Sequence, residues 1–259
     1  MTPATVLILG GTGEARELAA RLVAARVPGL RVVSSLAGRV SRPAMPEGEV
    51  RVGGFGGVAG LAAWVADNEV TVVVDATHPF AETMSQHAVA ACAEVPAPLL
   101  RLARPPWAAG SGDLWHEVAS EAEAAALLPS LGRRAFVTTG RQGLAAFAGV
   151  DGVWFLIRCV DPPAGPLPEV CEVVLARGPY DAEAEHALMS EHEIDVLVTK
   201  NSGGELTAGK LAAARQLGIP VIIIERSLAE DIPMYCSSAV VAARLVLQHW
   251  VHRHGSELA

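Results

Sequence analysis

Runs of consecutive branched apolar residues, each closed by glycine or a polar turn and followed by apolar residues at helical spacing, recur along the chain. The runs at 6–9, 30–35, 49–52, 70–75 and 98–102 predict five strands in the first part. Those at 135–139, 153–158, 172–176, 195–199 and 221–226 predict five more in the second. Helical spacing predicts helices over 14–25, 58–68, 82–93, 120–128, 181–191, 207–217 and 238–252. Val70-Thr71-Val72-Val73-Val74-Asp75 is apolar at consecutive rather than alternate positions, which suits a strand buried on both faces of a parallel sheet. It belongs at a sheet centre. The proline, glycine and small residues between Ala103 and Gly112 interrupt this alternation and mark a domain boundary. The pattern therefore predicts an α/β chain of two lobes, residues 1–104 and 105–259, with mostly parallel sheets and a cleft between them. The last helix is expected in the second lobe.

The most informative turn is the first, Gly10-Gly11-Thr12-Gly13-Glu14, between strand and helix. Glycine there allows a pyrophosphate to approach the backbone, and the helix start offers N–H groups and positive charge. Read as G-x-G-x-x-G from Gly11, the pattern holds at Gly13 and meets Arg16 at the third place. A dinucleotide is the implied ligand, and the first lobe reads as Rossmann-like. The second strand ends in Ser34 and Ser35, with Arg39 close behind and no acid. A carboxylate at this point suits the ribose hydroxyl of NADH, whereas hydroxyls and a cation suit the 2′-phosphate of NADPH. NADPH is the expected cofactor. The central strand exits into Thr77-His78-Pro79-Phe80, the place where the cofactor's head group is expected.

In the second lobe, Arg141, Arg177, Tyr180, Lys200, Asn201, Ser202 and Gly203 follow strands and are the candidate substrate contacts. The chain of 259 residues carries a formal charge of −8 and 51% hydrophobic residues. That acidity argues against nucleic acid or an anionic membrane as partner, so any anionic ligand must be met by a local concentration of cations such as these. No apolar run reaches a membrane span or a signal-peptide core, and a cytoplasmic enzyme is expected. Cys92, Cys159, Cys171 and Cys236 are too scattered for a metal or disulfide framework, and no G-x-S-x-G elbow suggests a hydrolase. His249, His252 and His254 read as a solvated tail without a metal.

Taken in order, Gly10-Gly11-Thr12-Gly13-Glu14-Ala15, Ser35-Leu36-Ala37-Gly38-Arg39, Asp75-Ala76-Thr77-His78-Pro79-Phe80-Ala81, Thr138-Thr139-Gly140, Arg177-Gly178-Pro179-Tyr180 and Thr199-Lys200-Asn201-Ser202-Gly203-Gly204 resemble the motifs of the precorrin-6A reductase family. The resemblance implies an NADPH-dependent reductase of corrin biosynthesis. Such an enzyme adds a hydride and a proton across one double bond of an anionic tetrapyrrole, giving precorrin-6B. Lys200, His78, Tyr180 or water is then the candidate proton donor, and neighbouring pathway enzymes are the candidate protein partners. A cobalt-carrying substrate fits the same motifs. Two rivals from other classes are an S-adenosylmethionine-dependent methyltransferase and a non-enzymatic NADPH sensor. The first expects an acid where Ser34 and Ser35 stand; the second leaves the Lys200 turn unexplained.

Overall fold

A computed structural model describes residues 3–38, 41–226 and 234–251. Arg39, His252 and His254 lie outside the described residues. The chain divides into two compact units, Met1–Arg104 with Leu228–Ala259, and Pro105–Ser227.

The first unit contains β1 (Ala4–Leu9), α1 (Gly13–Ala24), β2 (Leu30–Leu36), β3 (Glu49–Val52), α2 (Gly57–Asp67), β4 (Val70–Asp75), α3 (Glu82–Glu94) and β5 (Leu99–Leu102). The second contains β6 (Trp115–Val118), α4 (Glu121–Leu131), β7 (Arg134–Val137), β8 (Trp154–Cys159), β9 (Cys171–Leu175), α5 (Ala182–Glu191), β10 (Val196–Lys200), α6 (Gly209–Leu217) and β11 (Val221–Ile224). β12 (Tyr235–Cys236) and α7 (Ala239–Val246) follow, and α7 runs into a π-helical turn at Leu247–Val251.

Every strand pairing among the described residues is parallel. The first sheet runs β3-β2-β1-β4-β5-β12, the doubly wound order in which ligands collect where the winding reverses, here between β1 and β4. Helix α1 and α7 cover one face, around Val6, Ile8, Val72, Val74, Leu18 and Val246. On the other face α2 and α3 pack over Leu7, Leu9, Val33 and Val73. Both faces of β4 are thereby buried, which is why its apolar residues do not alternate. The second sheet repeats the winding as β9-β8-β7-β10-β11-β6 and reverses between β7 and β10. Its α5 and α6 face closes over Phe136, Leu156, Leu197 and Ile223.

The sixth positions are filled crosswise. The chain leaving β5 supplies β6 to the second sheet, and the chain leaving β11 supplies β12 to the first. Cys236, Ala239, Ala242 and Val246 then complete the first unit's core against Leu100, Leu102 and α1. This corrects the expectation that residues 105–259 form the second domain together with the last helix. Chain order does not reveal which sheet a short strand will join; the apolar surface left open beyond β5 decides it. No helix among the described residues is long and apolar enough to cross a membrane.

Candidate active site

At the carboxyl edge of the first sheet, hydrogen bonds join the ends of three strands. The Gly10 N–H donates to the Ser35 carbonyl at 2.9 Å, fixing the β1 exit against β2. Thr12 caps α1 by accepting from the Ala15 N–H at 3.1 Å, and its hydroxyl donates to the Ala76 carbonyl at 2.8 Å, fixing the same turn against β4. Gly11 holds φ +113, which favours glycine, and the space that a side chain would take there is open. The turn is therefore rigid, and it presents the start of α1, including Gly13, to an anion.

The small residue required by the helix packing is Ala15, not residue 16. Ala15 is buried, and its Cβ lies 3.5 Å from where a Cβ on Gly10 would stand. Counted from Gly10 the pattern has the small Ala15 in its third place but Thr12 in its second, so each register departs from the fingerprint at one position. Arg16 turns back to donate to the Thr12 carbonyl at 3.1 Å, away from the Gly10 packing contact. Glu14 pairs with Arg104 at 3.0 Å.

The loop after β4 rests on a buried charge. Asp75, wholly buried at the strand end, pairs with Arg101 of β5, its partner in register. The Thr77 N–H and hydroxyl donate to Asp75 Oδ1 at 3.1 and 2.7 Å, and Arg101 also donates to Thr77 Oγ1 and Ser85 Oγ at 3.1 and 2.9 Å. Thr77 is thus an anchor of this loop. His78 is exposed and accepts the Phe80 N–H through Nδ1 at 3.3 Å, while Pro79 is buried. Ser34 is buried, and its hydroxyl has no hydrogen-bond partner in the described structure. Ser35 accepts from Arg51 of β3 at 3.0 Å, a residue that sequence reasoning passed over.

The carboxyl edge of the second sheet gathers the other group. Lys200, the last residue of β10, pairs with Glu121 at the start of α4 at 2.7 Å. Burial pushes the Glu121 carboxyl up, but the Lys200 hydrogen bond, its own backbone N–H and the lysine charge outweigh this and hold it below the usual range. The pair accordingly persists at neutral pH and is lost as the pH falls through the lowered value. Gly143 gives the glutamate its room: a Cβ there would meet Glu121 Oε1 at 2.7 Å. Exposed Arg141 and Arg177 follow β7 and β9 on the same edge. Thr139, beyond β7, is buried with a hydroxyl that lacks a partner in the described structure.

Two predicted contacts have structural duties. Asn201 is buried; its Oδ1 accepts the Trp107 N–H at 2.8 Å, and its Nδ2 donates to the Trp107 carbonyl at 3.1 Å and to Glu225 at 3.0 Å. The Trp107 indole donates to the Gly204 carbonyl at 2.9 Å, so this tryptophan locks the Lys200 turn, with Ser202 and Gly203 buried inside it. Asn201→Ala is expected to lower stability by about 2–4 kcal/mol, the cost of stranding the Trp107 amide groups. Urea denaturation checks this, and an unchanged midpoint would show that the amide is not holding the loop. Tyr180 donates its hydroxyl to the Ala176 carbonyl at 2.8 Å and stacks on Arg158, itself paired with Glu185. Burial raises the tyrosine above its ordinary range. Burial likewise pushes the Cys92 thiol up to about 11, with Asp75 adding to the shift, which leaves it unsuited to act as a nucleophile.

A profile of the family described as “Precorrin-6x reductase CbiJ/CobK” matches residues 5–246. A precorrin-6A reductase of Rhodococcus erythropolis is 56% identical over 221 residues, 85% of this chain and 88% of that protein. A cobalt-precorrin-6A reductase of Salmonella typhimurium is 31% identical over 239 residues, covering 87% of this chain and 89% of its own. The solved structure of a CobK precorrin-6A reductase superposes with a TM-score of 0.86 at 41% identity, covering 94% of this chain and 96% of its own.

Proposed function

Since the chain belongs to the precorrin-6x reductase CbiJ/CobK family, we propose that it reduces one double bond of precorrin-6A, giving precorrin-6B, with NADPH as the reductant in cobalamin biosynthesis. The observation that carries the cofactor assignment is the β1–α1 turn, held by Ser35 and Ala76 with Gly11 open beside the start of α1. This geometry fits a pyrophosphate, and Ser34, Ser35 and Arg39 fit an adenosine ribose carrying a 2′-phosphate. Thr77, His78, Pro79 and Phe80 border the nicotinamide end, with Thr77 acting as the loop's anchor. When bound, NADPH supplies the hydride.

The remaining work falls to residues of the second unit. Arg141 and Arg177 attract the macrocycle's carboxylates, and each guanidinium can grip one bidentately. The Thr139 hydroxyl, buried without a partner in the described structure, adds a polar contact at the winding reversal. Lys200 delivers the proton to the carbon next to the one that receives hydride. Glu121 keeps that ammonium in place. Tyr180 is less suited, because its hydroxyl proton already bonds the Ala176 carbonyl. His78 uses Nδ1 within its own loop.

The metal-free macrocycle is the proposed substrate, since the relative bearing that substrate's name is far more similar than the cobalt-substrate one. Anaerobic incubation with precorrin-6A or its cobalt form, and with NADPH or NADH, tests the reading. Reduction of metal-free precorrin-6A with NADPH is expected. Turnover of the cobalt form alone would reassign the substrate, and NADPH binding without turnover of either would favour a sensor.

A further inference from the structure

Arg51 is a partly buried cation with no acidic partner among the described residues. It stands on β3 opposite Ser35 in register. One guanidinium nitrogen, Nη1, donates to Ser35 Oγ at 3.0 Å and to the Gly53 carbonyl at 2.9 Å; the other, Nη2, donates to the Gly54 carbonyl at 3.1 Å. The guanidinium lies over the Phe55 ring, 3.8 Å from its centroid, with the Trp64 ring at 5.9 Å. Phe55 and Trp64 pack edge to face and so hold that surface still. No carboxylate pairs with Arg51 among the described residues. By contrast Arg31, on the neighbouring strand, pairs with Glu49 at 2.8 Å.

Burial pulls the Arg51 guanidinium down from its ordinary value, with no opposing charge to restore it. Partial desolvation of this kind disfavours a lone cation, and an anion relieves it. Ser35 takes a hydrogen bond from Arg51 at its oxygen, which leaves its own proton for an acceptor. Two of the guanidinium's N–H groups are not engaged by the described structure. A hydroxyl donor and an immobilised cation thus share the ends of β2 and β3, beside the turn assigned to the pyrophosphate.

We propose that Arg51 is a specificity-determining residue for the cofactor: with Ser35 it binds the 2′-phosphate and selects NADPH over NADH. The proposal rests on the NADPH assignment above and adds to it a pre-positioned reader from β3. Arg51 also orients the Ser35 hydroxyl, so the pair acts as a unit. The cation–π contact and two backbone carbonyls fix the guanidinium before the ligand arrives, which reduces the side-chain ordering cost on binding.

The test is equilibrium titration of the full chain with NADPH and with NADH, for the wild type, Arg51→Ala and Arg51→Lys. Loss of a charge-assisted contact is expected to weaken NADPH by about 10–100-fold in Arg51→Ala, while NADH affinity stays within about 2-fold. Arg51→Lys should recover part of the NADPH loss through its charge. The adenosine fragment 2′,5′-ADP should follow the NADPH pattern, which separates the phosphate from the nicotinamide end. Equal losses for NADPH and NADH would make Arg51 a staple of the 53–57 loop and overturn the proposal. A wild-type chain binding both cofactors alike overturns the NADPH assignment with it. A wild-type preference that survives in Arg51→Ala overturns the role of Arg51 alone. If Arg51→Ala does not fold, Ser35→Ala reads the same subsite, with the same selective loss expected and an unselective one contradicting it.

Discussion

Lys200→Met is expected to lower the turnover of precorrin-6A by about 10²–10³-fold and leave NADPH affinity unchanged. Positioned proton transfer contributes on this scale, and Lys200 is well placed to provide it. It closes β10 beside the winding reversal of the second sheet and is held at 2.7 Å from Glu121. Methionine keeps the length and apolar stem but has no proton to give. Lys200→Arg separates chemistry from attraction. It retains the cation proposed to meet the substrate's carboxylates, while a guanidinium does not release a proton near neutral pH. Its KM should stay near that of the wild type while kcat falls nearly as far as in Lys200→Met. Steady-state kinetics under anaerobic conditions checks both variants. Wild-type kcat in Lys200→Met would remove Lys200 from the proton path and return the role to His78, Tyr180 or water.

The second large effect is on the fold beneath the loop after β4. Arg101→Ala is expected to cost about 3–5 kcal/mol, because it strands the wholly buried Asp75 carboxylate without its partner. Against a typical domain stability of about 5–15 kcal/mol, that is a large share. The same change removes the donors to Thr77 and Ser85, so NADPH binding should weaken in whatever fraction folds. Replacing both partners, as Asp75→Val with Arg101→Leu, should restore much of the stability, since no charge is then left alone. NADPH affinity should remain weak, because Thr77 still lacks its anchor. Chemical denaturation followed by cofactor titration separates these effects. An Arg101→Ala midpoint equal to that of the wild type would show that the buried pair carries no such weight.

Much of the architecture is legible in the pattern because parallel strands covered on both faces write themselves as unbroken apolar runs. β1, β4, β10 and β11 are of this kind. β6 and β12 are not: Trp115-His116-Glu117-Val118 and Tyr235-Cys236 are short and mixed, and they pair only because a sheet edge awaits them. The exchange of sixth strands, and with it the placement of α7, follows from that edge and leaves no local signal. The glycine turn is legible in the sequence, but that Ala15 is the small residue packed against Gly10 is a tertiary fact. Arg51 reads in the sequence as any strand arginine; that it has no acidic partner among the described residues is visible only in the fold. Asn201 and Thr77 stand out as polar loop residues at strand ends, but the partners that anchor them, Trp107 and Asp75, come from tertiary placement that the local pattern does not carry. That Arg141, Arg177 and Lys200 all follow strands at the carboxyl edge of the second sheet is legible for a simpler reason: each follows or closes an apolar run.

The most direct measurement of the central claim is anaerobic turnover of precorrin-6A with NADPH deuterated at the transferring C4 position, in ordinary water, followed by the mass of the macrocycle. The account predicts a reduced product that carries one deuterium from the cofactor and one proton from solvent, with NADPH consumed in equal amount. A reduced product without deuterium, or cofactor oxidation with the macrocycle unchanged, would contradict it.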